Sequence, residues 1–229
     1  MRPIAIPVFF LLTTSLIACN PDEDVSRLDA SDIEAAGSTA AELAATTEIS
    51  ELSKVPSGSY TIDKKHAYIS FSYLHKGLSR PVVGFRSFDV EMELDTRAPQ
   101  NSMIKVVIDA ASIDSRVSEF DEHLRDDKLF DVANYPNITF TSTNIRLTGV
   151  NGMEVTGDLT MKGVTRPVTL DTSINKAMID PRKNLAIIGV SATTTIKRSD
   201  WNLGYAVPVV GDAVTINIEL EMPQVPSED

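Results

Sequence analysis

Ala67-Tyr68-Ile69-Ser70-Phe71-Ser72-Tyr73 alternates without a break. Ile69, Phe71 and Tyr73 fall on one face, and Tyr68, Ser70 and Ser72 on the other. A period of two is that of a β-strand with one dry and one wet face. The pattern recurs along the chain. Ile104, Val106, Ile108 and Ala110 alternate with Lys105, Val107 and Asp109. Val155, Gly157, Leu159 and Met161 alternate with Thr156, Asp158 and Thr160. Val168, Leu170, Thr172 and Ile174 form a similar set, and so do Ile188, Val190, Ala192, Thr194 and Ile196. Val214, Ile216, Ile218, Leu220 and Met222 face away from Thr215, Asn217, Glu219 and Glu221. Turn residues punctuate these runs at Gly149-Val150-Asn151-Gly152, Lys162-Gly163, Asp180-Pro181 and Val210-Gly211-Asp212. Long strands joined by tight turns predict an all-β domain, an antiparallel sandwich or barrel.

One segment breaks the rhythm. Ser118-Glu119-Phe120-Asp121-Glu122-His123-Leu124-Arg125 reads as a short helix, with Ser118 as N-cap and Asp121 as its capping-box partner. Phe120 and Leu124 are one turn apart and share a face. Such a helix between strands suits a lid at a barrel end, or a crossover that covers the core.

The N-terminal quarter has a different character. Met1-Arg2-Pro3 carries one positive charge, and an apolar run follows from Ile4 to Ile17. That run is too short to span a bilayer and has the layout of a secretory signal. Leu16-Ile17-Ala18-Cys19, which ends in the sole cysteine, resembles the bacterial lipobox. The resemblance implies cleavage after residue 18 and diacylglycerol on the Cys19 sulfur. Asn20 rather than aspartate then favours the outer membrane of a Gram-negative envelope, with the domain facing the periplasm. Residues 19–57 are rich in Asp, Glu, Ala, Ser and Thr and poor in apolar bulk, which predicts a disordered acidic linker.

Composition sets further bounds. Of 229 residues, 42% are hydrophobic and 6% aromatic, enough for one domain plus a tail. The formal net charge is −11, which argues against nucleic acid as a partner. With Cys19 lipidated, no thiol remains for a disulfide, so the core alone must hold the fold.

The irregular segments carry a family resemblance. Asp121-Glu122-His123-Leu124-Arg125, then Leu129-Phe130-Asp131-Val132, then Tyr135-Pro136-Asn137-Ile138-Thr139-Phe140 resembles the core signature of the YceI family. Tyr60-Thr61-Ile62-Asp63 with His66 and Ile69-Ser70-Phe71 is similar to that family's opening strand pair. Gly157-Asp158-Leu159-Thr160-Met161-Lys162-Gly163-Val164-Thr165-Arg166-Pro167-Val168 is similar to its central hairpin. Ile196-Lys197-Arg198-Ser199-Asp200-Trp201 and Val210-Gly211-Asp212 resemble its C-terminal part. Leu78-Ser79-Arg80-Pro81 departs from the pattern by placing a proline where the rim turns.

The resemblance implies a lipocalin-like, eight-stranded antiparallel barrel over residues 58–223, with a short helical insertion and a tail at 224–229. It also implies an apolar cavity for a polyisoprenoid, an isoprenoid quinone or a related long-chain amphiphile. Eight strands make about the smallest barrel that holds one small ligand. Burying about 400 Å² of isoprenoid at about 25 cal/mol per Å² yields roughly 10 kcal/mol before association costs. Polar groups need only orient the head.

The inward sets nominate Ile69, Phe71, Tyr73, Ile108, Phe140, Leu159, Met161, Leu170, Val190 and Ile218 as lining. Several of these simply fill the core if the barrel is solid. His66, His123 and Arg166 are candidates for the head group, and each histidine could equally satisfy a buried backbone group. The expected partners are a long-chain lipid and, through the anchor, a membrane, with a homodimer also admitted.

Catalysis has no motif in its favour. There is no H-E-x-x-H, no cysteine ligand pair, no G-x-S-x-G elbow and no phosphate loop. A zinc site would need His66, His75 and His123 to converge, so neither metal nor cofactor is expected. Two readings remain. One is a membrane-tethered carrier of isoprenoid lipid. The other is a non-catalytic envelope stress or interaction module with a filled barrel core. An apolar cavity along the barrel separates them.

Overall fold

The alternating segments fold as eleven strands in one antiparallel sheet. The computed structural model describes residues 50–226. The expected signal at 1–18, Cys19, the linker up to residue 49 and the last three residues of the tail lie outside the described residues. In chain order the strands are β1 (Gly58–Thr61), β2 (Ala67–His75), β3 (Val82–Phe85), β4 (Phe88–Leu94), β5 (Met103–Asp109) and β6 (Ile113–Asp114). The helix α1 (Ser118–Arg125) follows. Then come β7 (Asn137–Leu147), β8 (Gly152–Met161), β9 (Val164–Asp180), β10 (Leu185–Lys197) and β11 (Val210–Pro223).

The expected count of eight strands is corrected to eleven, and the reason is local. Three passes of the chain are each broken in two. β1 and β2 lie along the same strand, β11, where Tyr60 bridges Gln224 and Ala67 pairs with Leu220. Between them the backbone turns out and returns, with Asp63 N–H donating to the Glu221 carbonyl and Glu221 N–H to that of His66. β3 and β4 pair with β6 and β5 in turn, either side of Arg86-Ser87. β5 and β6 are parted by a single 3₁₀ turn, Ala110–Ser112. Counted as passes, the eleven strands are eight, and each pass is hydrogen-bonded to the next in chain order. The last, β11, pairs back onto β2 and closes the sheet, while the short β6 pairs with β3 alone and has α1 beside it. The result is an up-and-down barrel.

Bulges adjust the inward register. In β7 the pairing slips at Thr143, so Ile145 turns inward although Phe140 predicts Asn144. In β9 Asn175 is the extra residue, and Ala177 is buried after Ile174. An inserted residue reverses which parity faces the core.

The barrel begins before residue 58, which corrects the linker boundary. Glu51–Lys54 is a 3₁₀ turn with Ser50 as N-cap, and Leu52 and Val55 are buried in the core. Glu51 fixes the turn. Its N–H donates to Asn151 Oδ1 at 2.8 Å, and its carboxylate accepts from Ala177 N–H at 2.9 Å. The acidic composition hides this short segment because one of its acids is itself a structural acceptor. At the other end, Gln224 bridges Tyr60 and Val225 N–H donates to the Ser59 carbonyl, so the tail starts later than residue 224.

The helix α1 forms where expected but is capped differently. Val117, not Ser118, occupies the N-cap, with no side-chain bond there. Asp121 instead accepts from Ser115 N–H and from the Ser115 hydroxyl, both at 2.6 Å. Arg125 donates to the carbonyls of Ala111 and Ile113. These bonds clamp both ends of the helix to the β6 segment.

Candidate ligand-binding cavity

The inward side chains do not meet at the centre. They surround a cavity of about 290 Å³, lined by every strand from β2 to β11 except β4 and β6, with α1 and the segments at 129–130 and 203–206 closing one end. Close-packed interiors hold few voids larger than a water, so a space near the lower limit of ligand pockets is a built feature. The structure places Ile69, Phe71, Tyr73, Ile108, Phe140, Leu159, Met161, Leu170 and Ile218 on this cavity.

Val190 is a correction. It lines a second cavity of about 70 Å³ deeper in the barrel, closed by Leu52 and surrounded by Met92, Leu94, Met153 and Met222. Ile69, Val106, Phe140, Leu170 and Ile218 line both spaces and form a ring between them. Phe140 reaches across β8 because Gly157 has no side chain. A Cβ at Gly157 would fall 2.4 Å from Phe140 Cζ and 2.5 Å from the Thr141 carbonyl.

Aromatic rings form one wall. Phe71 stands 5.9 Å from Phe85 and 6.2 Å from Phe130, and Phe85 meets Phe130 edge-on at 6.0 Å. Phe85 and Phe130 escape the sequence reading, and Val106, although in the same alternating set as Ile108, is not among the nominated lining residues. Phe85 sits on a short broken strand, and Phe130 lies in a loop with no period.

Polar groups gather at the end closed by α1. His75, His123, Tyr73, Tyr205 and Arg198 all border the cavity there. His123 packs between Phe120 and Tyr205, with ring centroids at 6.2 and 5.8 Å. The other two head-group candidates are corrected. His66 is exposed on the turn between β1 and β2, with Nδ1 at 3.1 Å from Asp63 Oδ2 and 3.7 Å from Glu221 Oε2. Those three side chains are close enough to share an ion, but His75 and His123 lie elsewhere, on the cavity. Arg166 is exposed at the rim and donates from Nε to the Asp200 carbonyl at 2.7 Å.

Arg198 takes their place as the cation of the site. It is buried at 9% exposure, and four of its five N–H groups meet backbone carbonyls. Nε bonds Gly211, Nη1 bonds Leu203 and Tyr205, and Nη2 bonds Val210. Burial holds its pKa below the ordinary value, against the opposing pull of Asp212 and Tyr73. Burial likewise raises the Tyr73 phenol, with Arg198 opposing. Arg198 points inward and makes no ion pair with its near neighbour Asp200; Asp212 is the charge that answers it.

Asp212 carries a pH signature. The Ser199 N–H, at 2.9 Å, holds its carboxyl below the usual range, and the Ser199 hydroxyl and Arg198 add to the shift. A depressed carboxylate stabilises the fold above its unfolded value, about 4, and loses that contribution as pH falls through the lower folded value. Asp212→Asn therefore lowers Tm most at neutral pH, and the gap to the parent closes as the pH falls below the unfolded carboxyl value and through the lower folded one. Thermal scans across pH check this. A gap that stays constant contradicts it.

The class of protein is defined by a closed antiparallel β-barrel around an apolar-lined cavity, with polar groups at one end. The chain belongs to the family of YceI-like domains, whose model matches residues 60–222. Protein YceI of Escherichia coli is 34% identical over 164 residues, covering 71% of this chain and 85% of that protein. Among solved structures, Burkholderia cenocepacia BcnA shares the fold with a TM-score of 0.64 at 24% identity, covering 70% of this chain and 98% of that one. A polyisoprenoid binding domain from Saccharophagus degradans shares it with a TM-score of 0.56 at 17% identity, covering 73% and 98%.

Proposed function

We propose that this protein takes up a long-chain isoprenoid lipid or isoprenoid quinone and carries or sequesters it in the cell envelope. The observation that carries the reading is the apolar cavity inside a closed barrel. Its walls are aliphatic and aromatic, its polar groups sit at one end, and a second small space lies in line beyond the ring at Phe140. That layout suits a guest with a long tail and a compact head carrying an oxygen acceptor. Tyr73, His123 and the remaining Arg198 N–H are the donors at the head end. The shared fold with a polyisoprenoid binding domain supports the same guest by analogy.

Further parts of the reading come from the N-terminus. Cleavage after residue 18 and lipidation of Cys19 would anchor the barrel to a membrane of a Gram-negative envelope, the outer membrane favoured and the domain facing the periplasm. The protein acts by binding, without catalysis, and needs no cofactor beyond its guest. The filled-core alternative is disfavoured by the cavity itself.

Organic extraction of the purified protein, followed by mass spectrometry, tests the proposal. The expected result is a co-purified polyprenyl or quinone species. Absence of any such species, together with no uptake of added isoprenoid quinone, overturns it.

A further inference from the structure

We infer that the rim of the cavity is a docking surface for a lipid bilayer. Two segments make it: the β2–β3 turn and the loop that leads into β11. They are adjacent, since Lys76 N–H donates to the Val209 carbonyl and His75 pairs with Val210. Together they expose six apolar or aromatic side chains, Leu74, Leu78, Val82, Tyr205, Val207 and Val209, with Leu78 at 83% exposure. Isolated exposed apolar residues are ordinary, but a cluster of this kind marks an interaction site.

Charge selects the partner. The chain holds 32 acidic residues, yet residues 74–88 and 201–211 contain none. The first of these segments does hold Lys76, Arg80 and Arg86, of which Arg86 is paired with Asp114. Exposed apolar tips flanked by cations are the pattern of a surface that sits in the headgroup region of a bilayer. A second copy fits less well, because Lys76 and Arg80 would meet their own counterparts.

The position is also the right one. Tyr205 and Val210 border the cavity, so the patch surrounds the end where a guest enters or leaves. Leu52 closes the opposite end, and the chain toward Cys19 departs from there. Thirty residues separate Cys19 from Ser50. Extended, they reach about 100 Å, well beyond the ~43 Å of the 13-residue strand β10, so an anchor at Cys19 permits the rim to face the membrane.

The inference rests on the carrier reading for its purpose, but its test does not need the guest. The mature chain, residues 19–229, carries Cys19→Ser so that no acyl group contributes and no other thiol remains. One new cysteine, Ser79→Cys, takes an environment-sensitive fluorophore, and Lys183→Cys on the β9–β10 turn gives a matched probe at the opposite end. Vesicles of phosphatidylethanolamine and phosphatidylglycerol, with and without brominated chains, are then added. The expected result is a blue shift and bromine quenching at position 79 and neither at position 183. Leu78→Asp with Val209→Asp should weaken vesicle binding about tenfold or more while quinone uptake from solution persists. No vesicle response at position 79, or an equal response at both probes, overturns the inference. So does a dimer in sedimentation that these two substitutions dissolve, because the patch then belongs to a second copy. If quinone uptake fails while position 79 still docks, the carrier reading falls and the membrane surface stands.

Discussion

Leu159→Arg leaves a folded barrel that takes up no isoprenoid quinone. Leu159 lies on β8, 9% exposed, with its side chain on the cavity and opposite Phe140 in the pairing with β7. In the empty protein an arginine there can keep water around its guanidinium, because the cavity is already a space of about 290 Å³. An apolar chain entering the cavity must strip that water away. Leaving a charge buried without a partner costs several kcal/mol, and about 4 kcal/mol is already about a thousandfold in affinity. Leu159→Met conserves volume and apolarity, so it should bind like the parent. Trp201 supplies the readout. It is the sole tryptophan, is 3% exposed, and donates from Nε1 to the Leu159 carbonyl at 3.1 Å. A quinone in the cavity quenches it. Titration followed by tryptophan emission, with circular dichroism to establish folding, decides the matter. Undiminished quenching in a folded Leu159→Arg protein would show that the guest binds elsewhere.

The reason Leu159 could be chosen from sequence is also the reason other positions could not. A strand's inward face follows from its alternation, and β2, β5, β8 and β11 alternate cleanly, so Ile69, Ile108, Leu159 and Ile218 were legible. The bulges at Thr143 and Asn175 reverse the parity midway along a strand, and no local pattern announces them. Val190 was read on the correct face but at the wrong depth, because alternation says nothing about position along the barrel axis. The breaks at residues 62–66, 86–87 and 110–112 turn eight passes into eleven strands without changing the order of pairing. His66 and Arg166 failed for a different reason. A motif places a residue in the chain, whereas the polar end of the cavity is assembled by closure. Closure brings His123 on α1, Tyr73 on β2 and Arg198 after β10 to one end of the barrel. Arg198-Ser199-Asp200 reads first as a turn with a local ion pair and only second as a head-group contact, since nothing in those three residues shows that the guanidinium folds inward.

Arg198→Met removes about 3–5 kcal/mol of stability, because the carbonyls it satisfies have no second donor of the same reach. The side chain bonds Leu203, Tyr205, Val210 and Gly211, so it gathers the loop into β11 around a single planar fork. Methionine fills much of the volume but leaves those acceptors bare, and each orphaned buried acceptor costs about 1–3 kcal/mol. Lysine does not rescue. One ammonium presents three donors from a single point, and four carbonyls spread from Leu203 to Gly211 need the breadth of the guanidinium. Arg198→Lys should therefore unfold at a urea midpoint closer to that of Arg198→Met than to the parent, with an unchanged m-value. Limited proteolysis should cut between residues 202 and 211 first. The consequence reaches the cavity and its rim together. Leu203, Tyr205 and Val210 border the cavity, while Val207 and Val209 stand on its outer edge. A loop released from Arg198 loses the wall and the rim at once, so quinone uptake should fall even at temperatures where the barrel remains folded. An Arg198→Lys protein with parental stability and uptake would show that the loop holds its shape without the fork.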